Sequence, residues 1–427
     1  MNESIIKNIT YVDFYKFNML KVIYKCYPNI ITKWKHYTRS KGIDYEPILP
    51  ELKKQIEMLE DLRLSNEEYD YLKNLKTSFD YNFYDKSFLQ RISNLRFNKN
   101  NITKLDIGKD GNLELEFEGL WSDVTFLEIY LMLIVNDLYY QNKYNKDYKS
   151  AENEVIKKLK ISIEKVKKYN DETFKYADFG TRRAFSPEIL EETIRMQAEE
   201  VPENFVGTSN VYLAMKYDLK PIGTMAHEMF MATQGSDIAV RNVQKQVLHD
   251  WLISWEGLFG TLLTDTFGTL SFLEDSKLLY LKVADGFRHD SSDPIRWGWL
   301  MYASLLKNGI DPKTKTMVFS DSLNMDKAIT LHSYFKDYLK MSFGIGTALT
   351  GDVEPINHVI KISESNGYPV AKLSDDYHKT LSNEENFLNY LKGQYKYRSF
   401  STFSDEEFTQ FLKDKYNFKL PKKLIKL

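Results

Sequence analysis

Hydrophobic and polar positions change rhythm several times along the chain. Between residues 12 and 26, Phe14, Phe17, Leu20, Val22, Ile23 and Tyr24 recur at roughly helical spacing, which predicts a helix with one packing face. Residues 40–100 break into short helical stretches and loops that show no chemistry. Leu113-Glu114-Leu115-Glu116-Phe117 alternates strictly and predicts a half-buried strand. Phe126 to Tyr139 predicts a buried helix. Residues 149–168 carry a thin Val155, Leu159, Ile163, Val166 stripe among Lys and Glu, the pattern of an exposed amphipathic helix.

From about Tyr176 a strand–loop–helix rhythm takes over. Short β-prone runs end in Gly, Ser, Thr, Asp or His, and a helical pattern usually follows. The run ends are Asp178-Phe179-Gly180, Gly207-Thr208-Ser209-Asn210, Gly223-Thr224-Met225-Ala226-His227, Thr264-Asp265-Thr266, His289-Asp290-Ser291, Ser320-Asp321-Ser322 and Gly344-Ile345-Gly346-Thr347. Ser186-Pro187-Glu188 is a strong helix start, with an N-cap hydroxyl, Pro at the first helical position and an acid near the positive end of the dipole. Residues 236–255 read as a long helix, Thr316 to Ser320 as a strand, and 322–337 as a helix. Parallel strands joined by helices predict an α/β architecture, and polar groups at successive strand ends are how an α/β barrel builds an active face. After Phe343 the rhythm changes. Val359–Ile362 and Val370–Leu373 flank Asn366-Gly367, a hairpin signal. Two helices close the chain, the last opened by a Ser404/Glu407 capping box with Phe403 and Phe408 placed to staple it.

Composition narrows the class. At 427 residues the chain is long enough for two domains, and 43% hydrophobic with 28% charged residues describes a globular protein. A net charge of -2 gives no general drive toward nucleic acid or anionic membrane. Cys26 is the only cysteine, which excludes an intramolecular disulfide and a cysteine-based metal site. The most apolar window, Phe126 to Val135, is about half a membrane span and contains Glu128. The expectation is a cytoplasmic protein.

The strand-end residues carry the candidate chemistry. Arg182 and Arg183 offer guanidinium forks for a planar carboxylate or a phosphate. Gly207–Asn210 and Phe343–Thr347 present backbone N–H groups and hydroxyls to an anion. His227 is a general acid or a nucleophile, and Asp265, Asp290, Asp293 and Asp321 are competent to hold Mg2+ or ribose hydroxyls. Each of these, taken alone, also reads as a helix cap, a turn or a structural histidine. Together on one rim they point to a phosphorylated sugar or nucleotide substrate.

At these residues the chain resembles the nicotinate phosphoribosyltransferase family. DFGTRRAFS at 178–186, GTSNVYLA at 207–214, PIGTMAHEMF at 221–230 and LLTDTF at 262–267 follow in family order. So do FRHDSSDPIRWG at 287–298, VFSDSLN at 318–324, SFGIGT at 342–347 and NGYPVAKLSD at 366–375, with a weaker trace at Asp13-Phe14-Tyr15-Lys16. The resemblance implies an irregular α/β barrel with an additional α/β domain formed by both chain ends. On that basis residues 1–140 are expected as the N-terminal domain, 141–357 as the catalytic barrel and 358–427 as a C-terminal segment packing with the N-terminal part.

It also implies the reaction: nicotinate attacks C1 of 5-phosphoribosyl-1-diphosphate, giving nicotinate mononucleotide and diphosphate, coupled to ATP hydrolysis through a phosphohistidine at His227, in NAD salvage. A homodimer with shared active sites is expected, with no nucleic acid or membrane partner. By motif, Phe179 stacks on the pyridine ring opposite Tyr15 of a partner subunit. Arg182 and Arg288 pair with the nicotinate carboxylate or the phosphoribosyl group. Asp265 and Asp290 face the ribose or the Mg2+–diphosphate. Asp321, Gly344, Gly346 and Thr347 surround the 5′-phosphate, and Lys361 and Lys372 contact the diphosphate. Ser209, where related nicotinamide enzymes carry Asp, can donate to a carboxylate without charge repulsion and favours nicotinate. Ser292 departs from the family's usual Gly and is expected to cost about 1 kcal/mol if the position needs a positive φ. Nicotinamide specificity and a non-catalytic ligand-binding barrel are the alternatives.

Overall fold

The structure is a computed structural model that describes residues 3–38, 40–77, 79–258 and 260–427. It divides into two compact units. The first comprises Met1–Asn170, Tyr176–Gly223 and Ile345–Gly367; the second comprises Asp171–Lys175, Thr224–Gly344 and Tyr368–Leu427.

In the first unit an antiparallel sheet runs His358–Ser365, Ile31–Thr38, Leu113–Leu120, Ile102–Ile107. The alternating run therefore forms its strand, with Leu113, Leu115 and Phe117 inward. Helix Phe14–Cys26 buries Phe14, Phe17, Leu20, Val22 and Ile23 of the predicted stripe, leaves Tyr24 half-buried, and also buries Lys16, Asn18 and Met19, so its packing is wider than one face. Helix Leu127–Tyr144 is buried from Leu127 to Tyr140, Glu128 and Asp137 included. Helix Tyr148–Tyr169 buries Val155, Leu159, Ile163 and Val166 and stops at left-handed Asn170. Ser186 caps helix Pro187–Glu200 by accepting from the Ile189 amide. Two short strands, Tyr176–Asp178 and Phe205–Thr208, pair in parallel. Between residues 40 and 100 lie the short helices Leu49–Met58, Asn66–Asn74 and Lys86–Ser93.

The second unit is built on four parallel strands, Thr261–Leu263, Gly286–His289, Thr316–Phe319 and Lys340–Ile345, joined by helices Thr269–Val283, Pro294–Lys307 and Met325–Phe335. Most strand residues are buried, as expected of parallel strands covered by crossover helices. Leu263 sits opposite Arg288, and His289 opposite Phe319. This register delivers Asp265 and Asp290 side by side just past their strand ends.

Three local expectations are revised. The 236–255 helix is a 3-10 turn Val240–Asn242 followed by helix Val243–Ser254, because Gly235-Ser236-Asp237 prefers a turn to a helical start. Asn366 and Gly367 do form a turn with φ of 49° and 77°. The turn leads into the short return strand Tyr368–Pro369 of a hairpin, but the arm stops there, and Ala371–Lys372 pairs with Leu381–Ser382. The Ser404/Glu407 capping box is present in both directions, while Phe403 meets Phe411 edge-on with centroids 5.4 Å apart. No helix among the described residues is long and apolar enough to cross a membrane.

Candidate active site

In the second unit the chemistry converges on His227, the first residue of helix His227–Thr233. Its Nε2 lies 2.9 Å from Asp290 Oδ2, 2.8 Å from Lys372 Nζ and 3.6 Å from Asp265 Oδ1. Its Nδ1 lies 3.0 Å from the Thr266 hydroxyl. Nε2 has one in-plane position and two claimants. Asp290 needs an N–H there, whereas the Lys372 ammonium needs a lone pair. The Thr266 hydroxyl can donate or accept, so it satisfies Nδ1 in either tautomer. Burial first, and the Lys372 charge second, push the imidazole down to about 4 against the pull of Asp265 and Asp290. Near pH 7 the ring is therefore neutral, and in the Lys372-facing tautomer Nε2 carries the nucleophilic lone pair, which accepts from the Lys372 ammonium until a phosphoryl group takes its place.

The neighbours hold this geometry. Lys372 pairs with Asp265 Oδ2 at 3.2 Å, and Ser291 donates to the same oxygen at 2.6 Å. Gln234, just past the His227 helix, clamps both backbone groups of Ala371 beside Lys372. Burial works to raise Asp265, and Lys372 and His227 overcome it, holding the carboxyl below its usual range. Asp290 is held well below that range against burial by the His227 hydrogen bond and Arg288. Asp375 accepts from the Thr269 amide and hydroxyl, and burial with the Asp265 charge pushes it up to about 7. Arg288 donates to the Met225 carbonyl at 2.9 Å, two residues before His227. Asp321 pairs with Lys379.

Asp265 Oδ1 is buried and accepts no hydrogen bond. One ligand atom each from His227, Asp265 and Asp290 lie within 4.8 Å of one another. A buried carboxylate oxygen left over in such a set fits a hard divalent cation such as Mg2+.

The first unit gathers a second set. Glu128 Oε2 meets Lys16 at 2.7 Å and its Oε1 meets Arg182 at 3.0 Å, with Lys361 at 3.9 Å. Burial would raise Glu128, but Lys16, Lys361 and Arg182 hold it at about 2. Three cations around one carboxylate leave a positive excess, an environment that welcomes an anion. Phe179 is half-buried at the end of its strand, and its amide donates to the Ile345 carbonyl. A Cβ on Gly346 would come within 3.1 Å of the Phe179 carbonyl, so the glycine is what allows this approach. Thr347 follows in the single turn Thr347–Thr350, and Gly344 lies within its strand. Tyr15 stands in the first turn of helix Phe14–Cys26. The Ser209 hydroxyl donates to Asp13 Oδ1 at 2.6 Å, so its proton is already engaged. Burial raises Asp13. It also raises Asp178, to about 7, against the Thr208 hydroxyl and the Gly180 amide that Asp178 accepts from.

A family model described as the nicotinate phosphoribosyltransferase (NAPRTase) family matches residues 174–399, and that family's N-terminal domain model matches residues 10–136. The chain belongs to the nicotinate phosphoribosyltransferase family. A nicotinate phosphoribosyltransferase from Acinetobacter baumannii is 38% identical over 396 residues, covering 91% of this chain and 96% of the relative. A nicotinate phosphoribosyltransferase 1 from Pseudomonas aeruginosa is 37% identical over 395 residues, covering 91% and 96%. The solved nicotinate phosphoribosyltransferase from Vibrio cholerae superposes with a TM-score of 0.86 at 31% identity, covering 97% of this chain and 98% of that one. The mixed α/β class read from the sequence is the fold of this family.

Several residues of these sets were not singled out from the nicotinate phosphoribosyltransferase motifs. Lys16, Asp178 and Asp375 lie inside the matching runs but received no role. Glu128 gave one signal, a lone acid in an apolar stretch, which must have a partner if buried. Lys379 gave none.

Proposed function

We infer that the protein transfers the phosphoribosyl group of 5-phosphoribosyl-1-diphosphate to nicotinate. The pyridine nitrogen forms a bond to C1 as the C1–O bond to diphosphate breaks, yielding nicotinate mononucleotide in NAD salvage. Family membership supports the reaction, and the neutral His227 imidazole held between Lys372, Asp265 and Asp290 is the observation that carries its ATP-coupled form. His227 attacks the γ-phosphorus of ATP through a ring nitrogen. An N–P bond forms, the bridging P–O bond breaks, and ADP leaves. Lys372 offers a fixed charge to the phosphoryl oxygens. The transition state of ribosyl transfer resembles an oxocarbenium ion, which Asp265 and Asp290 stabilise.

Asp265 and Asp290 are the residues that would hold Mg2+, and the ion would supply neutralisation of diphosphate charge. Arg288, Asp321, Gly344, Gly346 and Thr347 serve the phosphoribosyl end, with Lys361 and Lys372 toward the diphosphate. Phe179 and Tyr15 hold the pyridine ring, Tyr15 reaching it from a partner subunit in a homodimer. Arg182 receives the nicotinate carboxylate, supported by the cationic excess around Glu128. Ser209 acts as a pair with Asp13: when Asp13 carries a proton, the serine hydroxyl is released to donate to that carboxylate. The test is product formation from nicotinate and from nicotinamide with Mg2+, with and without ATP. A higher kcat/KM for nicotinamide would overturn the specificity, and tight binding without turnover would overturn catalysis.

A further inference from the structure

Arg182 is gripped at both ends by one helix. Glu128 takes its guanidinium at 3.0 Å, and Asn136, eight residues along Leu127–Tyr144, donates its amide Nδ2 to the Arg182 carbonyl at 3.2 Å. Asn136 is in turn the end of a buried chain. Its Oδ1 lies 2.8 Å from His358 Nε2. His358 Nδ1 lies 2.9 Å from His36 Nε2, and His36 Nδ1 lies 3.2 Å from the Leu113 carbonyl. All three side chains are buried. The two histidines stand on paired strands, where Thr38 sits opposite His358, so His36 reaches its partner diagonally on one sheet face.

We propose that Asn136, carried by the His36–His358 pair, is a positioning residue for Arg182, and that one proton taken up by the pair completes the chain. The proposal rests on the reading that Arg182 receives the nicotinate carboxylate. Both ends of the chain are carbonyls, which only accept. Four links need four N–H groups. The Asn136 amide supplies one while its oxygen accepts from His358. The other three must come from two imidazoles, which hold two hydrogens when both are neutral and three when one is cationic. A neutral pair therefore leaves one link unmade: at Leu113, between the two histidines or, with the amide turned over, at Arg182 itself. A buried link left unmade is a real penalty, so the chain gains from one added proton.

The surroundings set when that proton arrives. The charge of a protonated His36 bears on His358 first, then the guanidinium groups of Arg183 and Arg182, and the Tyr45 ring stands edge-on to His36 at 5.9 Å, itself packed on Tyr139. Burial first, then the neighbouring positive charges for His358, keep both imidazoles below their ordinary value, His36 at about 4. An anion on Arg182 cancels part of that opposing charge. Nicotinate binding is thus coupled to proton uptake, whereas neutral nicotinamide is not.

The test is titration calorimetry of the full-length protein with nicotinate at pH 6 in buffers of different ionisation enthalpy, with nicotinamide and the variants alongside. The expected result is net proton uptake with nicotinate, absent with nicotinamide and absent in His358→Gln, which keeps a donor and an acceptor but cannot titrate. Asn136→Ala should raise the nicotinate KM by roughly tenfold to a hundredfold while sparing the KM for phosphoribosyl diphosphate. If Asn136→Ala does not fold, His358→Gln carries the test alone. Equal proton uptake in wild type and His358→Gln, or an unchanged nicotinate KM in Asn136→Ala, overturns the proposal. Arg182→Ala is the control: if it leaves the nicotinate KM unchanged, the pocket reading fails first and the proposal with it.

Discussion

Replacing Ser292 with glycine should stabilise the protein, and the structure says by how much. Ser292 has φ of 72°, in the left-handed region, where an L side chain costs about 1–2 kcal/mol. Its hydroxyl is buried and has no hydrogen-bond partner, a desolvation loss on the order of 1 kcal/mol. Glycine removes both terms but loses more freedom on folding, about 0.5–1 kcal/mol. The net gain is about 1–2.5 kcal/mol, at a position between Ser291, which donates to Asp265, and Asp293, which caps helix Pro294–Lys307. Equilibrium urea unfolding followed by tryptophan fluorescence reads it, since buried Trp297 lies five residues along. A shifted midpoint with an unchanged slope is the expected result. An unchanged or lowered midpoint would refute the claim that this serine is strained.

His227→Ala should abolish ATP stimulation while leaving slow ATP-independent synthesis, read as product formed with and without ATP. Phosphorylation of His227 should stay flat from pH 8 down to about 5 and fall only as the pH approaches the ring's value of about 4, because protonation removes the nucleophilic pair. Lys372→Met removes the second of the two causes that lower it while burial, the larger one, remains, so that fall should move up from about 4 in the direction of the ordinary histidine value of about 6.5; a quench-flow pH profile decides. Glu128→Gln strands the fully buried Lys16 and should cost about 3–5 kcal/mol in urea unfolding. Glu128 lies below its unfolded value, so the stability it contributes is present above about pH 4.5 and is lost as pH falls toward 2. Ser209→Asp sets a second carboxylate against Asp13 and should raise the nicotinate KM; an unaffected KM would remove Ser209 from the pocket.

What the sequence made legible follows from what local patterns encode. Helical spacing fixed the buried faces of Phe14–Cys26 and Tyr148–Tyr169, because periodicity reports which side is inward. Strand-end residues announced Asp265, Asp290 and Asp321, and the unusual Ser292 announced its own φ. Partnerships were out of reach. Lys372 meets His227 across 145 residues, and Glu128 meets Arg182 across 54. No spacing rule connects such pairs. Ser209 shows the limit best: the hydroxyl was legible, but the Asp13 carboxylate it donates to is a partner that only the folded chain reveals. The second hairpin arm was legible only in part: the turn leads into the two-residue strand Tyr368–Pro369, but Ala371–Lys372 pairs instead with Leu381–Ser382.

The most direct test of the account is acid-labile phosphate on His227. The protein is incubated with Mg2+ and γ-labelled ATP, then assayed for nicotinate mononucleotide on adding nicotinate and phosphoribosyl diphosphate. The account predicts label on wild type at His227, none on His227→Ala, and release of that phosphate as product forms. Product made at the same ATP-stimulated rate with no phosphate on His227 would contradict it.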